Sequence, residues 1–233
     1  MNVFDGVNVV VEQTLDNSPT LYRIDIDEHY HSTKGAVTEA VHVYVKSGLE
    51  HHRNMNLRVC EIGFGTGLNA LATALLTQKK VEYHAFELYP LPISLCESLS
   101  YPRDICTIQA GIEEAVGIAL LSDIHNAPWD NLRRVSTRFS IEKHQCNITQ
   151  GIPLDTATVD VVYFDAFAPE KQPEMWSEGV MREIYRIMAP GGVLTTYCAK
   201  GSIRRLFQKI GFKTERIQGP PRGKREILRV VKP

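Results

Sequence analysis

The chain contains the stretch Val59-Cys60-Glu61-Ile62-Gly63-Phe64-Gly65-Thr66-Gly67-Leu68-Asn69-Ala70-Leu71-Ala72, which predicts a buried strand, a glycine turn and the beginning of a helix. Glycines in such a turn allow the backbone to bend tightly and to approach a ligand where a Cβ atom would clash. The helix that follows would direct its free N–H groups, and the positive end of its dipole, at whatever lies in the turn. The stretch therefore predicts the first strand–turn–helix unit of a nucleotide-binding α/β fold.

Two acidic residues frame this turn: Glu61 at the end of the strand, and Glu87 after the next apolar strand. Glu87 follows the last glycine by about 20 residues, the distance at which an acid meets ribose hydroxyls in nucleotide-binding βαβ units. Position 68 is Leu, so the dinucleotide fingerprint G-x-G-x-x-G is absent. The form E-x-G-x-G-x-G is instead typical of enzymes that use S-adenosyl-L-methionine, with an ordinary glycine-rich turn as the alternative. The cofactor-binding residues predicted from this motif are Glu61, Gly63, Phe64, Gly65, Gly67, Glu87 and Leu88.

The composition limits the class of protein. A chain of 233 residues, 43% of them hydrophobic, can bury a substantial core in one large domain or one domain with an appendage. We find no apolar run long enough to span a bilayer, and residues 1–11 lack the basic region of a secretory signal. The five cysteines form no C-x-x-C pair, which indicates reduced thiols and a cytoplasmic location. The eight histidines show no spacing typical of a metal site, so no metal is predicted.

The charges are distributed unevenly along the chain. The net charge is −1, yet residues 199–233 contain eleven Lys or Arg against two Glu. An acidic body with a basic end predicts a polyanionic partner, whereas a solvated basic surface is the alternative interpretation. The candidate contacts to that partner are Arg204, Arg205, Arg222, Lys224 and Arg225.

The order of the predicted elements indicates the fold class. Residues 8–30 alternate between apolar and polar, which predicts a hairpin, and a helix is predicted over 37–47. We expect residues 1–56 to form an N-terminal extension that covers the site. Strands and helices then alternate in a predicted domain over 57–233, although two final strands, 212–217 and 226–231, have no helix between them. We therefore predict an α/β fold with a doubly wound, mostly parallel, Rossmann-like sheet of seven strands that ends in a C-terminal antiparallel hairpin.

Two shorter strands are predicted within this alternation. Cys106–Gln109 is expected to be a short strand, and Arg138–Lys143 a further strand, with an insertion hairpin as one interpretation. The nearly continuous apolar run Val159–Phe164 is typical of a central parallel strand.

A second motif follows that apolar strand, running from Asp165 to Trp176 as DAFAPEKQPEMW. In open α/β sheets, ligands bind beyond the carboxyl ends of the strands, which predicts that Asp165 lies near the glycine turn. A carboxylate there can accept a hydrogen bond from an amine or take its proton, whereas a helix-capping aspartate is the alternative. Phe167 and Trp176 are of the type that stacks on a base, with core packing as their alternative.

Several motifs together resemble the methyltransferase domain of the MnmC family, the tRNA 5-methylaminomethyl-2-thiouridine biosynthesis enzymes, in its stand-alone form. The resemblance extends over nearly the whole chain. It rests on the glycine turn, Asp165-Ala166-Phe167-Ala168-Pro169, Pro173-Glu174-Met175-Trp176, Pro190-Gly191-Gly192, Gly211-Phe212, the segment from Gly219 to Glu226, and Glu28-His29-Tyr30-His31-Ser32 with Gly35 and Glu39.

The resemblance implies a class I methyltransferase that uses S-adenosyl-L-methionine to methylate the 5-aminomethyl group of the wobble uridine (5-aminomethyl-2-thiouridine) in tRNA. It implies that Asp165 is the catalytic residue and that the anticodon loop is bound through Phe167, Pro169, Trp176 and the basic residues above. It adds Tyr30, Ser32 and Asn147 to the cofactor site; Asn147 stands where the family usually has an acid that meets adenine. The family's oxidase half is absent from this sequence, so a separate enzyme is expected to supply the aminomethyl intermediate.

Two other functions remain open at this point. A small-molecule N-methyltransferase or an aminopropyl transferase of the same fold would show no affinity for tRNA. A non-catalytic RNA-binding protein would bind tRNA, but the cofactor would not change its thermal stability.

Overall fold

Two sheets and seven α-helices are present in the residues that this computed structural model describes, 8–109 and 111–233. Residues 1–7 of the predicted N-terminal extension, and Ala110, lie outside the described residues. The smaller sheet is antiparallel and consists of β1 (Val9–Gln13), β2 (Pro19–Arg23) and β3 (Glu28–His29). Helix α1 (Ala36–Glu39) follows and continues as a π-helix over Ala40–Leu49. The predicted hairpin and the predicted helix are therefore confirmed, with one additional short strand.

The larger sheet has eight strands in the order β10-β11-β9-β8-β4-β5-β7-β6. In chain order these strands are β4 (Asn56–Ile62), β5 (Lys80–Glu87), β6 (Arg133–Arg134), β7 (Phe139–Gln145), β8 (Val159–Phe164), β9 (Met188–Thr196), β10 (Lys213–Gln218) and β11 (Glu226–Val231). The inner pairs β7–β5, β5–β4, β4–β8 and β8–β9 are parallel, whereas β11 pairs antiparallel with both β9 and β10. The mostly parallel sheet and its terminal hairpin are as predicted, and the eighth strand is the two-residue edge strand β6.

Six further helices accompany this sheet: α2 (Leu68–Leu76), α3 (Ile93–Glu97), α4 (Tyr101–Ile108), α5 (Glu114–Asn126), α6 (Glu178–Ile187) and α7 (Gly201–Ile210). Two short 3₁₀-helices lie at Ile148–Gln150 and Pro173–Trp176. Within residues 8–109 and 111–233, none of the helices combines the length and the apolar character needed to cross a bilayer.

The short strand predicted over Cys106–Gln109 is wrong, because most of this segment belongs to α4. Pro102 lies in the first turn of that helix, a position that favours helix initiation. Tyr101 and Ile105, four residues apart, are both buried, which is the spacing of one helix face. The strand Arg138–Lys143 is confirmed, but β7 is an inner parallel strand that also forms a small hairpin with β6.

Side chains alternate between two cores on the two faces of the larger sheet. Val59 of β4 packs in one core with Leu71 of α2, whereas the next residue, Cys60, packs in the other with Ile184 of α6. Central strands are therefore buried on both faces, as in doubly wound proteins. The register pairs Ile62 with Phe164, so the loops that follow β4 and β8 begin side by side.

Candidate active site

A cavity of about 750 Å³ opens where the parallel strands end, a volume typical of small-molecule sites. It is bordered by the glycine turn after β4, the end of β5, residues 146–149 after β7 and the loop after β8. Residues 26–33, around the short strand β3, also line the cavity, as do Glu39, Tyr197 and Lys224. Motifs that are far apart in the sequence thus border one cavity.

The glycine turn needs glycines for two different reasons. Gly63, Gly65 and Gly67 have φ angles of +88°, +49° and +74°, in the left-handed region that favours glycine. A Cβ atom on Gly63 would lie 2.6 Å from the backbone oxygen of Asp165, and one on Gly65 would lie 3.0 Å from the ring of Tyr30. Gly63 and Gly65 line the cavity together with Phe64, whereas Gly67 caps α2 beneath it.

Glu87 lies at the end of β5 and lines the cavity beside Leu88. Its carboxylate accepts the backbone N–H groups of Gly65 at 3.0 Å and Tyr89 at 2.9 Å. Burial raises the pKa of Glu87, although these N–H groups oppose the rise. Each carboxylate oxygen has a second lone pair, so Glu87 can hold the turn and still accept from a hydroxyl.

Glu61 lies under the turn and does not line the cavity. It is fully buried, and its Oε1 accepts from Asn69 Nδ2 at 2.9 Å. Its Oε2 has no hydrogen-bond partner among the described residues. Burial raises the pKa of Glu61 well above its usual range, which favours the neutral carboxyl. The structure therefore places Glu61 as a support for Asn69, one layer below the predicted contact with the cofactor.

Asp165 follows β8 and lines the cavity. Its Oδ1 accepts from the Tyr44 hydroxyl at 2.6 Å, and its Oδ2 accepts from Asn69 Nδ2 at 2.8 Å. Desolvation raises the pKa of Asp165 to about 6, while the bonds from Tyr44 and Asn69 oppose the rise. Such a carboxylate is ionised above pH 6 and is still basic enough to take a proton.

Three residues of this arrangement had no role predicted from the sequence: Glu39, Tyr44 and Asn69. Glu39 is buried, lines the cavity and accepts the backbone N–H of Ser32 at 2.9 Å. Burial, followed by the charge of Asp165, raises the pKa of Glu39 to about 7. The signal in the sequence was a single acid on the predicted helix, close to the apolar residues Val37 and Ala40, which are both buried.

Aromatic residues form part of the cavity wall. Tyr30 and Phe167 line it with their ring centroids 5.2 Å apart and their ring planes at 75°. Trp176 is only 4% exposed and donates from Nε1 to the backbone oxygen of Phe167 at 2.7 Å. Its placement favours core packing over stacking on a base, because the indole does not line the cavity and is joined to it only by the bond to the Phe167 backbone. Pro169 lies half-buried in the same loop, outside the lining.

Asn147 and Ser32 also border the cavity. The Oδ1 atom of Asn147 accepts from the backbone N–H of Thr149 at 3.0 Å and from its hydroxyl at 2.8 Å. Both lone pairs of that oxygen are therefore used within the chain. The Nδ2 group therefore remains as the hydrogen-bonding atom that Asn147 offers to a ligand.

The five basic candidates do not form one group. Lys224 lines the cavity with its ammonium 3.9 Å from the centroid of the Tyr197 ring, and desolvation lowers its pKa. Arg204 is half-buried in α7, and its Nε has no partner among the described residues. The other three, Arg205, Arg222 and Arg225, are exposed outside the cavity.

Comparison with known proteins identifies a matching family and related proteins. Residues 118–233 match the family described as S-adenosyl-L-methionine-dependent methyltransferase. The tRNA 5-methylaminomethyl-2-thiouridine biosynthesis bifunctional protein MnmC of Cupriavidus necator is 31% identical over 209 residues, which cover 83% of this chain and 30% of that protein. The protein of the same name from Actinobacillus pleuropneumoniae serotype 5b is 27% identical over 232 residues, covering 89% of this chain and 33% of that protein. The chain thus spans only 30–33% of the length of these two relatives.

Solved structures show the same fold. MNMC2 from Aquifex aeolicus superposes with a TM-score of 0.73 at 21% identity, covering 98% of this chain and 71% of that chain. A spermidine synthase in complex with the transition state analogue AdoDATO superposes with a TM-score of 0.55 at 13% identity, covering 97% and 74%. At these identities the similarity concerns the fold, and it confirms the predicted doubly wound, Rossmann-like class.

Proposed function

Because this chain belongs to the family of S-adenosyl-L-methionine-dependent methyltransferases, we propose that it methylates the 5-aminomethyl nitrogen of the wobble uridine in tRNA. The observation that carries this proposal is the placement of Asp165, a carboxylate with a pKa of about 6 that lines the cavity beside the glycine turn. The names of the curated relatives support tRNA as the substrate. We further propose that the protein is cytoplasmic and that a separate enzyme supplies the aminomethyl group. We propose that the base is 2-thiolated.

The cofactor end of the cavity fits S-adenosyl-L-methionine. The turn has no Cβ atoms where Gly63 and Gly65 face the cavity, and Glu87 offers acceptors suited to ribose hydroxyls. Tyr30 and Ser32 border the same space, which supports the proposal that residues 1–56 cover a catalytic domain over 57–233. When bound, the cofactor supplies an electrophilic methyl group attached to a sulfonium.

The acceptor end of the cavity fits an amine. Asp165 and Glu39 both line it, and two carboxyls attract an aminomethyl group that arrives protonated at neutral pH. Asp165 accepts one N–H of the amine and takes its proton, which leaves the nitrogen lone pair free to accept the methyl group. Tyr44 and Asn69 hold the carboxylate in one orientation while it does so. Positioning of the amine then supplies much of the acceleration.

The basic surface fits the phosphates of the anticodon arm. Arg205, Arg222 and Arg225 are exposed and would bind phosphates without reading the sequence. An anticodon-loop base is already unpaired, so moving it into the cavity costs less than extracting a base from a duplex.

The reaction is tested with labelled S-adenosyl-L-methionine and tRNA from a strain that lacks only this methylation, so that the tRNA carries the 5-aminomethyl group. Nucleoside analysis then locates the label. We expect the label in 5-methylaminomethyl-2-thiouridine, and none in tRNA that lacks the aminomethyl group. Label that enters a small amine but never tRNA would contradict the proposal and favour a small-molecule N-methyltransferase.

The tRNA contact is tested by the salt dependence of binding. We expect a triple variant, Arg205→Ala, Arg222→Ala and Arg225→Ala, to flatten the log–log slope by about one unit per residue. The matched control replaces Lys209 and Arg229, whose charges are paired with Glu178 at 2.6 Å and Glu215 at 2.7 Å. An unchanged slope in the triple variant would make this surface a solvated face only.

A further inference from the structure

Three metal-ligating side chains lie together outside the cavity, on strands β5 and β7. His84 lies directly opposite Glu142 in the parallel register, and His144 lies two residues beyond Glu142. Residues two apart in a strand face the same side of a sheet, so the three side chains share one face. One donor atom of each lies within 4.8 Å of the other two. Sequence spacing did not reveal this group, because its members come from two strands that are far apart along the chain.

Two of the three distances within this group are close to those of a metal site. His84 Nδ1 lies 3.2 Å from His144 Nε2 and 3.5 Å from Glu142 Oε2. Ligands held at about 2.0–2.1 Å around a tetrahedral zinc ion are roughly 3.3–3.4 Å apart. Both distances are close to this value, and the two rings, whose centroids lie 5.5 Å apart with planes at 16°, need only rotate for both lone pairs to face one ion.

The outward-facing nitrogen of each ring faces a carboxylate. His84 Nε2 lies 3.1 Å from Glu82 Oε1, and His144 Nδ1 lies 3.7 Å from Asp130 Oδ1. Arg58 also pairs with Glu82 Oε1 at 2.7 Å and fixes its position. Metal-binding histidines commonly donate their second ring N–H to a carboxylate, which selects the tautomer and orients the ring.

The inward nitrogens are close enough to share one proton or one ion. A proton on His144 Nε2 can be donated to His84 Nδ1 across 3.2 Å, which accounts for the two rings but not for Glu142 beside them. A divalent cation instead satisfies both inward nitrogens and Glu142, while His84 Nε2–H stays paired with Glu82 and His144 Nδ1 faces Asp130.

We therefore propose that His84, Glu142 and His144 bind a divalent transition-metal ion of the zinc type. Two imidazoles and one carboxylate favour such an ion over calcium or magnesium, which prefer oxygen ligands. Three protein ligands leave a fourth position for water.

The site is structural and lies next to the cofactor end of the cavity. It joins β5 to β7 shortly before these strands end at Glu87 and near Asn147. The His144 ring stacks on Phe86 with centroids 4.6 Å apart and planes at 12°, and Phe86 lines the cavity. None of the three ligands lines the cavity, so the ion takes no part in methyl transfer.

The experiment titrates zinc into tag-free, chelator-treated protein in competition with a chromophoric chelator. We expect one equivalent to bind with Kd below about 1 μM, as for preformed zinc sites. His84→Ala and His144→Ala should each weaken binding by about 100-fold or more, and Asp130→Asn by about 10-fold. Zinc should also raise the Tm of the unsubstituted protein but not that of either histidine variant.

The controls are His51→Ala, which removes an exposed histidine, and Cys146→Ser, which removes a nearby thiol. Both should bind zinc as the unsubstituted protein does. The proposal would be overturned if His84→Ala or His144→Ala bound zinc as tightly as the unsubstituted protein, or if Cys146→Ser lost the site. If a histidine variant does not fold, Glu142→Gln keeps the shape of the ligand and must still weaken binding; unchanged affinity there would also overturn it.

Discussion

The two ends of the cavity are built in different ways. At the cofactor end, the backbone makes the site: Gly63 and Gly65 adopt positive φ angles, and Glu87 binds the N–H of Gly65. These residues belong to one local strand–helix–strand unit. At the acceptor end, side chains make the site, because Tyr44 and Asn69 reach Asp165 from distant parts of the chain. A binding surface can be encoded locally, whereas proton chemistry needs ionisable groups that several elements bury together.

The largest effect should come from the acceptor end. Asp165→Asn keeps the shape but cannot take a proton, so we expect turnover to fall by about 10²-fold or more. Cofactor and tRNA binding should stay close to normal, and raising the pH should recover part of the loss by supplying free amine. Single-turnover methyl transfer and calorimetry on the same protein make both measurements. A variant with the original rate would show that Asp165 only positions the loop, and the contrast between the two ends would disappear.

The cofactor end should respond in binding rather than in chemistry. Glu87→Ala removes the acceptor for ribose hydroxyls and should weaken S-adenosyl-L-methionine binding by about 1.5–3 kcal/mol. At saturating cofactor, turnover should remain near the original value. Glu87→Gln is the matched variant, because it keeps an acceptor for the turn but loses the charge. Calorimetry that shows unchanged affinity in a folded Glu87→Ala protein would remove Glu87 from the cofactor site.

The same contrast explains how much could be predicted from the sequence. The terminal hairpin was predictable because strands 212–217 and 226–231 have no helix between them, so a parallel pairing was excluded. The glycine turn and Asp165 were predictable because each lies in a local motif at the end of an apolar strand. The helix over Tyr101–Ile108 was mistaken for a strand at its end, since a short apolar window does not separate the two structures.

Other parts of the site depend on contacts that local patterns do not encode. Tyr44 bonds to Asp165, which lies 121 residues further along the chain, and no periodicity in the sequence indicates such a pair. Glu61 and Trp176 were predicted as direct contacts, but both are buried beneath the residues that line the cavity. Sequence motifs locate residues near a ligand, whereas packing decides which of them face it.

A smaller effect should separate orientation from proton transfer at the acceptor end. The Tyr44 hydroxyl donates to Asp165 and favours its charged form, so Tyr44→Phe should raise the pKa of Asp165 above about 6. One charge-assisted hydrogen bond corresponds to a shift of about one unit, so the acidic limb of kcat/KM should move upward by about one pH unit. Tyr101→Phe is the matched control, because the Tyr101 hydroxyl is buried and has no partner among the described residues. Identical pH profiles for the two variants would mean that Tyr44 does not tune Asp165.

The smallest effect concerns the stability cost of the acceptor end. Burial raises the pKa of Glu39 to about 7 in the folded protein, against an ordinary value of 4.5. Between these values the folded state binds more protons than the unfolded state, so the free energy of unfolding falls as the pH rises through this window. The full cost, at most about 3 kcal/mol, is present above pH 7.

Glu39→Gln should therefore raise the Tm by a few degrees at pH 8 and hardly at all at pH 5. Glutamine keeps an oxygen for the Ser32 N–H and carries no charge, so the hydrogen bond remains while the buried charge is removed. Thermal unfolding at the two pH values measures the difference, with Glu97→Gln as a control at an exposed glutamate. No corresponding gain is expected at Gly63 and Gly65 of the cofactor end, because glycine has no ionisable side chain. Equal stabilisation at both pH values would show that Glu39 is not a buried charge. The carboxyls of the acceptor end would then not lower the free energy of unfolding in a pH-dependent way.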